Sequence, residues 1–169
     1  MKVNLTKEGH ARLQEELQRL KAKDRPAIIR AISEARAHGD LSENAEYHSA
    51  KERQGFIEKR IRELESALAS PQIIDPAAVG ADGRCIFGAY VDIADGEGKT
   101  KTYRLVGEYE ADIDSGLLSI ASPLGKALIG KYADDIVAVK PGGGAQDEDS
   151  EDNEDGGGIK YKIIAVRYQ

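Results

Sequence analysis

Asp40 and Glu43, three residues apart in the run Gly39-Asp40-Leu41-Ser42-Glu43-Asn44-Ala45-Glu46-Tyr47, are the side chains of this sequence best placed to do chemistry. Two carboxylates offer hard oxygen ligands, which suit Mg²⁺ better than a softer metal. The same spacing also has a purely structural reading. Asp40 would cap the following helix, and Glu43 would complete a capping box by reaching back to the cap's own amide. Arg36, His38, Lys51 and Arg53 place positive charge around the pair, where it could grip phosphate at close range. His38 and His48 lie on either side of the run without a fixed helical i, i+4 relation, so they are read as non-ligands.

Two long stretches must position this run. From Thr6, a candidate N-cap, to Ala37, inward positions recur at Leu13, Leu17, Leu20, Asp24, Ala27 and Ala31, with Ile28 and Ile32 widening the stripe. From Asn44 to Ala69 the pattern repeats at Ala50, Gln54, Ile57, Ile61, Leu64 and Leu68, and Gly39 between them fits a left-handed helix end. The pattern predicts an antiparallel coiled-coil hairpin over residues 1–75 with the acidic run at its bend. At 1.5 Å per residue, about 32 residues make an arm of roughly 48 Å, which implies reach. Pro26 is expected to kink or split the first helix near Lys23 or Asp24.

After Pro71 and Pro76 the period changes. Cys85 to Ile93, Lys101 to Val106, Leu117 to Ile120, Ile136 to Val139 and Ile159 to Val166 read as strands, and Ser122-Pro123 opens a single short helix that ends at Gly130. Residues 76–169 are therefore expected to form a small α+β domain, giving an α + (α+β) chain. Within it, residues 141–158 are glycine-rich and acidic, too polar to pack, and expected to be disordered.

Composition narrows the classes further. The chain has 169 residues and a net charge of -6, but residues 147–155 hold seven acids and no base, and without them the balance is +1. Residues 1–75 carry 14 Lys and Arg against 13 Asp and Glu, so no broad basic face advertises nucleic-acid binding. No apolar run approaches a membrane span and the start lacks a secretory pattern, so a cytoplasmic protein without a membrane is expected. The single cysteine, Cys85, excludes a disulfide framework and reads as a buried strand thiol. Gly98-Lys99-Thr100 imitates the end of a phosphate-binding loop, yet Ile93 stands where the earlier glycine belongs, so it reads as a hairpin turn.

The run His38 to His48, followed by Ala50-Lys51-Glu52 and Gln54-Gly55-Phe56, closely resembles bacterial transcript-cleavage elongation factors of the GreA/GreB family. The resemblance continues through Arg25-Pro26, Gln72-Ile73-Ile74-Asp75, Tyr103-Arg104-Leu105-Val106-Gly107 and Leu128-Ile129-Gly130-Lys131, leaving out the acidic loop. It implies a coiled coil that enters the secondary channel of RNA polymerase and an FKBP-like C-terminal domain that docks on the polymerase. It further implies that Asp40 and Glu43 help hold a second Mg²⁺ jointly with the polymerase, whose own cleavage of backtracked RNA is stimulated. Arg36 and Lys51 match positions that contact the extruded RNA 3′ end. On this reading the chain is no enzyme itself, and its modest tip charge favours the GreA-like branch. Two other classes compete: an FKBP-like peptidyl-prolyl isomerase, which would call for an aromatic-lined pocket, and a coiled-coil chaperone or adaptor, which would call for apolar surface at the tip.

Overall fold

The computed structural model describes residues 2–40, 42–79, 82–139 and 158–169, so the acidic run and most of the glycine-rich loop lie outside the described residues. The chain divides into two compact units, residues 1–3 with 8–72 and residues 4–7 with 73–169.

The first unit is a helical hairpin. Strand β1 (Val3–Leu5) leads into α1 (Lys7–Arg19), which begins directly after Thr6. Pro26 has no N–H to give, and its ring crowds the carbonyl four residues back. The chain accommodates it with a π turn, Leu20–Asp24, in which the Arg25 N–H donates to the Leu20 carbonyl five residues earlier. Helix α2 (Arg25–Arg36) then starts with the proline in its first turn, where a missing N–H is harmless. The break expected near Lys23 and Asp24 thus takes the form of this π turn.

One consequence corrects the expected seam. The π turn holds an extra residue, so the buried stripe advances by one position. Leu13 and Leu20 are buried before it, whereas Ile28, Ile32 and Ala35 are buried after it; Ala27, expected inside, is exposed and Ala31 only half-buried. The returning helix α3 (Ala45–Ala69) follows its expected pattern, burying Ala50, Ile61 and Leu64 with Gln54, Ile57 and Leu68 half-buried. Ile28, Ile32 and Ala50 form a cluster on which Tyr47 and Ile57 pack. The arms run antiparallel: the Ala35 carbonyl meets the Asn44 side chain at one end, and the Val3 N–H donates to the Ser70 carbonyl at the other. Two forked ion pairs join them between these ends. Arg25 donates to both oxygens of Glu58 at 2.8 and 3.0 Å, and Arg60 to both of Glu16 at 2.7 and 3.0 Å. Such forks add geometric specificity that a lysine would not.

The second unit is α+β. Strand β2 (Pro71–Ile73) ends at its border, and a four-residue helix α4 (Pro76–Val79), not expected from the sequence, follows. Strands β3 (Tyr90–Ala94), β4 (Thr100–Val106), β5 (Leu117–Ser119), β6 (Ile136–Val139) and β7 (Ile159–Arg167) form one sheet in the order β5-β4-β3-β7-β6. Neighbours are antiparallel except β4 and β5, which run parallel. The expected first strand is shorter than predicted: Cys85 lies in an irregular approach, and pairing begins only at Tyr90. Alternation along β3 sends Val91 and Ile93 inward, where they meet Cys85, Leu105, Leu118, Leu128, Val137 and Ile163. Burying each such side chain contributes about 1.5–3 kcal/mol.

Helix α5 (Pro123–Leu128) covers this core as expected, with the Ser122 hydroxyl accepting from the Gly125 N–H at 3.1 Å. Gly125 has no alternative, since a Cβ there would stand 2.0 Å from the Ser119 carbonyl oxygen. The Gly98 segment is the hairpin turn predicted for it, the Asp95 N–H donating to Lys99 O at 2.9 Å. Glu110, only 3% exposed, accepts from the Thr6 N–H at 3.0 Å and from its hydroxyl at 2.5 Å. No helix among the described residues is long and apolar enough to cross a membrane.

Candidate functional site

The bend between α2 and α3 is built by backbone first. The Ala37 and His38 N–H groups turn back onto the last carbonyls of α2, and Gly39 then adopts φ +119°, a region open to glycine and strained for other residues. The chain emerges pointed so that Asp40, Ser42 and Glu43 are all exposed.

The expected capping box is not what closes this bend. Helix α3 starts at Ala45, and its cap is Asn44, whose side-chain oxygen accepts from the Tyr47 N–H at 3.1 Å. Asp40 lies too early for that role, and Glu43 precedes the cap where a capping box needs an acid after it. The carboxylates are therefore released from capping. Asp40 instead makes an Asx-type turn: one oxygen, Oδ1, accepts from the Ser42 N–H at 3.0 Å and from the Ser42 hydroxyl at 2.9 Å. Those two bonds, the backbone one foremost, hold the Asp40 carboxyl below the usual carboxylate range, so it is ionised at neutral pH.

Cationic groups flank the bend. Arg36 ends α2, and its guanidinium lies 5.7 Å from the centre of the Tyr47 ring, a cation–π distance. Tyr47 in turn meets His48 edge-on, with ring centres 5.4 Å apart. Lys51, one turn further along α3, is exposed and donates to Gln54 Oε1 at 3.3 Å. Beside the bend, a groove of about 440 Å³ has Ala31, Ala35, Ala45 and Ala50 in its lining, with Glu34, Glu46 and Arg53 among its charged groups and His38 beside them. The predicted residues are thus all gathered at one end of the hairpin. Asn44 is the one that sequence reading missed as an organiser, although its place just before the helical pattern was a signal.

What the site could hold follows from its donors. Among the described residues no three His, Cys, Asp or Glu side chains converge on a metal position. Two exposed carboxylates supply hard oxygens of the kind Mg²⁺ takes, but fewer than the six ligands it requires.

The second unit offers a cavity of about 500 Å³ lined by Arg84, Cys85, Ile86, Phe87, Ile120, Lys126, Ile129 and Gly130. Phe87 is the one aromatic in that lining, which is poor support for an isomerase pocket. Cys85 is fully buried as expected, and burial pushes its thiol up to about 11, so it is no nucleophile at neutral pH.

Comparison with known proteins covers both units. The domain described as "Transcription elongation factor, N-terminal" matches residues 3–73, and "Transcription elongation factor, GreA/GreB, C-term" matches residues 80–148. The chain is 53% identical over 167 residues to "Transcription elongation factor GreA" of Ralstonia nicotianae, covering 98% of each sequence. A protein of the same name from Alkalilimnicola ehrlichii is 53% identical over 168 residues, covering 99% of this chain and 98% of its own. Among solved structures, GreA factor homolog 1 of Thermus thermophilus aligns at 26% identity over 99% of both chains with a TM-score of 0.41. With both family models matched and 53% identity over nearly the whole chain to these relatives, one assignment is left: the chain belongs to the GreA/GreB family of transcription elongation factors.

Proposed function

We propose that this elongation factor carries the tip of its hairpin into the secondary channel of RNA polymerase. There Asp40 and Glu43 complete a Mg²⁺ site that the polymerase cannot fill alone, stimulating its cleavage of backtracked nascent RNA. One observation carries the reading: both carboxylates stand exposed at a bend whose capping is done by Asn44, so neither is consumed as the helix cap, and Asp40 gives only one oxygen to its local turn.

The division of labour follows from the donors. Asp40 keeps Oδ2 for a metal while Ser42 engages Oδ1, and Glu43 adds a second anionic oxygen. A divalent ion held between these acids and those of a partner would lower the pKa of an attacking water and stabilise phosphodiester charge. Arg36, poised over Tyr47, and Lys51 meet the phosphates of the extruded RNA 3′ end, Arg36 with a planar fork and Lys51 as a point charge. The free chain cleaves nothing by this account, because two carboxylates are too few ligands to retain the ion. The chaperone or adaptor alternative calls for apolar surface at the bend, where His38, Asp40, Ser42 and Glu43 are exposed instead.

The test is RNA release from a purified halted elongation complex in Mg²⁺. Wild-type protein is expected to accelerate it, and Asp40→Ala or Glu43→Ala to lower that acceleration by at least roughly 10- to 100-fold, the penalty typical of disturbing metal ligation. Both variants should still bind polymerase. A double variant that cleaves as fast as wild type rejects the reading.

A further inference from the structure

We propose that Asn44 is the positioning residue of the tip, a clasp whose two ends hold the last turn of α2 and the first turn of α3 in the one relation that presents Asp40 and Glu43 together. The inference rests on the proposed role of those acids and adds a residue to it.

Asn44 is the described side chain that bonds to both arms across the bend. Its Nδ2 donates to the Ala35 carbonyl at 2.6 Å, and its Oδ1 accepts from the Tyr47 N–H at 3.1 Å. Ala35 is 3% exposed and belongs to the buried seam, so the carbonyl that Asn44 grips is anchored in the core rather than in the loop. The segment between the two anchor points, residues 36–43, contains every group assigned to the reaction except Lys51. Among the described residues, Asp40 is steadied within it only by Ser42, itself exposed and part of the same segment. The local turn therefore shapes Asp40 but cannot fix where it stands; the clasp does that. Tyr47 extends the effect, because the residue whose N–H is captured also places its ring under Arg36.

The amide is the group this job demands. Capping needs an acceptor, and gripping a carbonyl needs a donor; Asn supplies one on each side of a rigid plane. Serine caps helices about as well but is one atom shorter and cannot reach Ala35 as well. Aspartate caps and matches the size, but would set a second acceptor against the Ala35 carbonyl.

The variants Asn44→Ser and Asn44→Asp separate the two ends of the clasp. Both are expected to fold with α3 intact, judged by circular dichroism and by a protected Tyr47 amide. Both should bind polymerase as wild type does, and lose roughly 10- to 100-fold in the maximal rate of stimulated cleavage, the cost of an ångström-scale misplacement. Unchanged binding with a lowered maximal rate is a split that simple destabilisation of the helix would not produce. Wild-type stimulation with either variant overturns the clasp while leaving the proposed function standing. A wild-type protein that stimulates no cleavage overturns the functional reading itself.

Discussion

Glu110 sits 3% exposed in the sheet unit with both carboxylate oxygens engaged by Thr6, whereas Asp40 and Glu43 stand in solvent at the bend of the hairpin. Cys85 and Arg104 repeat the first pattern: the thiol is buried, and the guanidinium, 6% exposed, donates to the Gly88 carbonyl at 3.1 Å beside the Tyr90 ring. In the sheet unit, chemically capable groups are consumed by structure. In the hairpin, a thin apolar seam and two forked ion pairs hold the arms, and the capable groups at the bend remain available. On the proposed reading, the groups to test are therefore the exposed acids of the bend rather than the buried ones of the sheet.

Three experiments press on that contrast. The largest effect should come from the sheet core: Leu105→Ala, at a fully buried site, is expected to destabilise its unit by about 2–5 kcal/mol, and Ile32→Ala in the narrower hairpin seam to fall at the low end of that range. Denaturant melts of the two variants decide this, and equal losses would mean that the hairpin has a core of comparable depth.

Next comes Cys85. Its folded pKa is raised from 9.0 to about 11, so the stability it contributes is complete below the unfolded value and lost as pH climbs from about 9 through 11. Melts of wild type and Cys85→Ala should therefore diverge over that interval. A thiol reagent at pH 8 should react only after unfolding, and prompt labelling of the native chain would show that the core is open.

The smallest effect lies in the arms. Arg25 holds the Glu58 carboxyl below its usual value, so this pair supports the hairpin above the carboxylate's unfolded pKa and fails as pH drops through the folded one. Glu58→Gln should flatten the acid limb of a helicity titration. The more sheltered Glu16–Arg60 fork, tested by Glu16→Gln, is worth roughly 0.5–1 kcal/mol after solvent screening.

Much of this architecture was legible beforehand because its signals are local. Seven-residue periodicity placed α3 within one residue of its observed start, and Ser122-Pro123 announced α5 with its cap. The resemblance of the bend carried the family correctly. What escaped had non-local or competing causes. Asp40 and Asn44 are both good caps, and only the folded chain shows which amide each reaches. Strands β1 and β2, three residues each, are too short for alternation to register. Glu110 and Thr6 lie 104 residues apart, beyond any pattern rule. Ala27 was misplaced because a heptad count assumes an unbroken α-helix, and Pro26 breaks it.

The wide turn at Leu20–Asp24 leaves the arm with a vernier. Elsewhere along α1 and α2, gaining or losing one amino acid would rotate everything beyond it by about 100° and tear the apolar face from its partner. Here, once Pro26 no longer demands the wider turn, shedding a residue tightens a five-step hydrogen bond into a four-step one. Changes in arm length can thus be absorbed mid-shaft, sparing the phase of the working end.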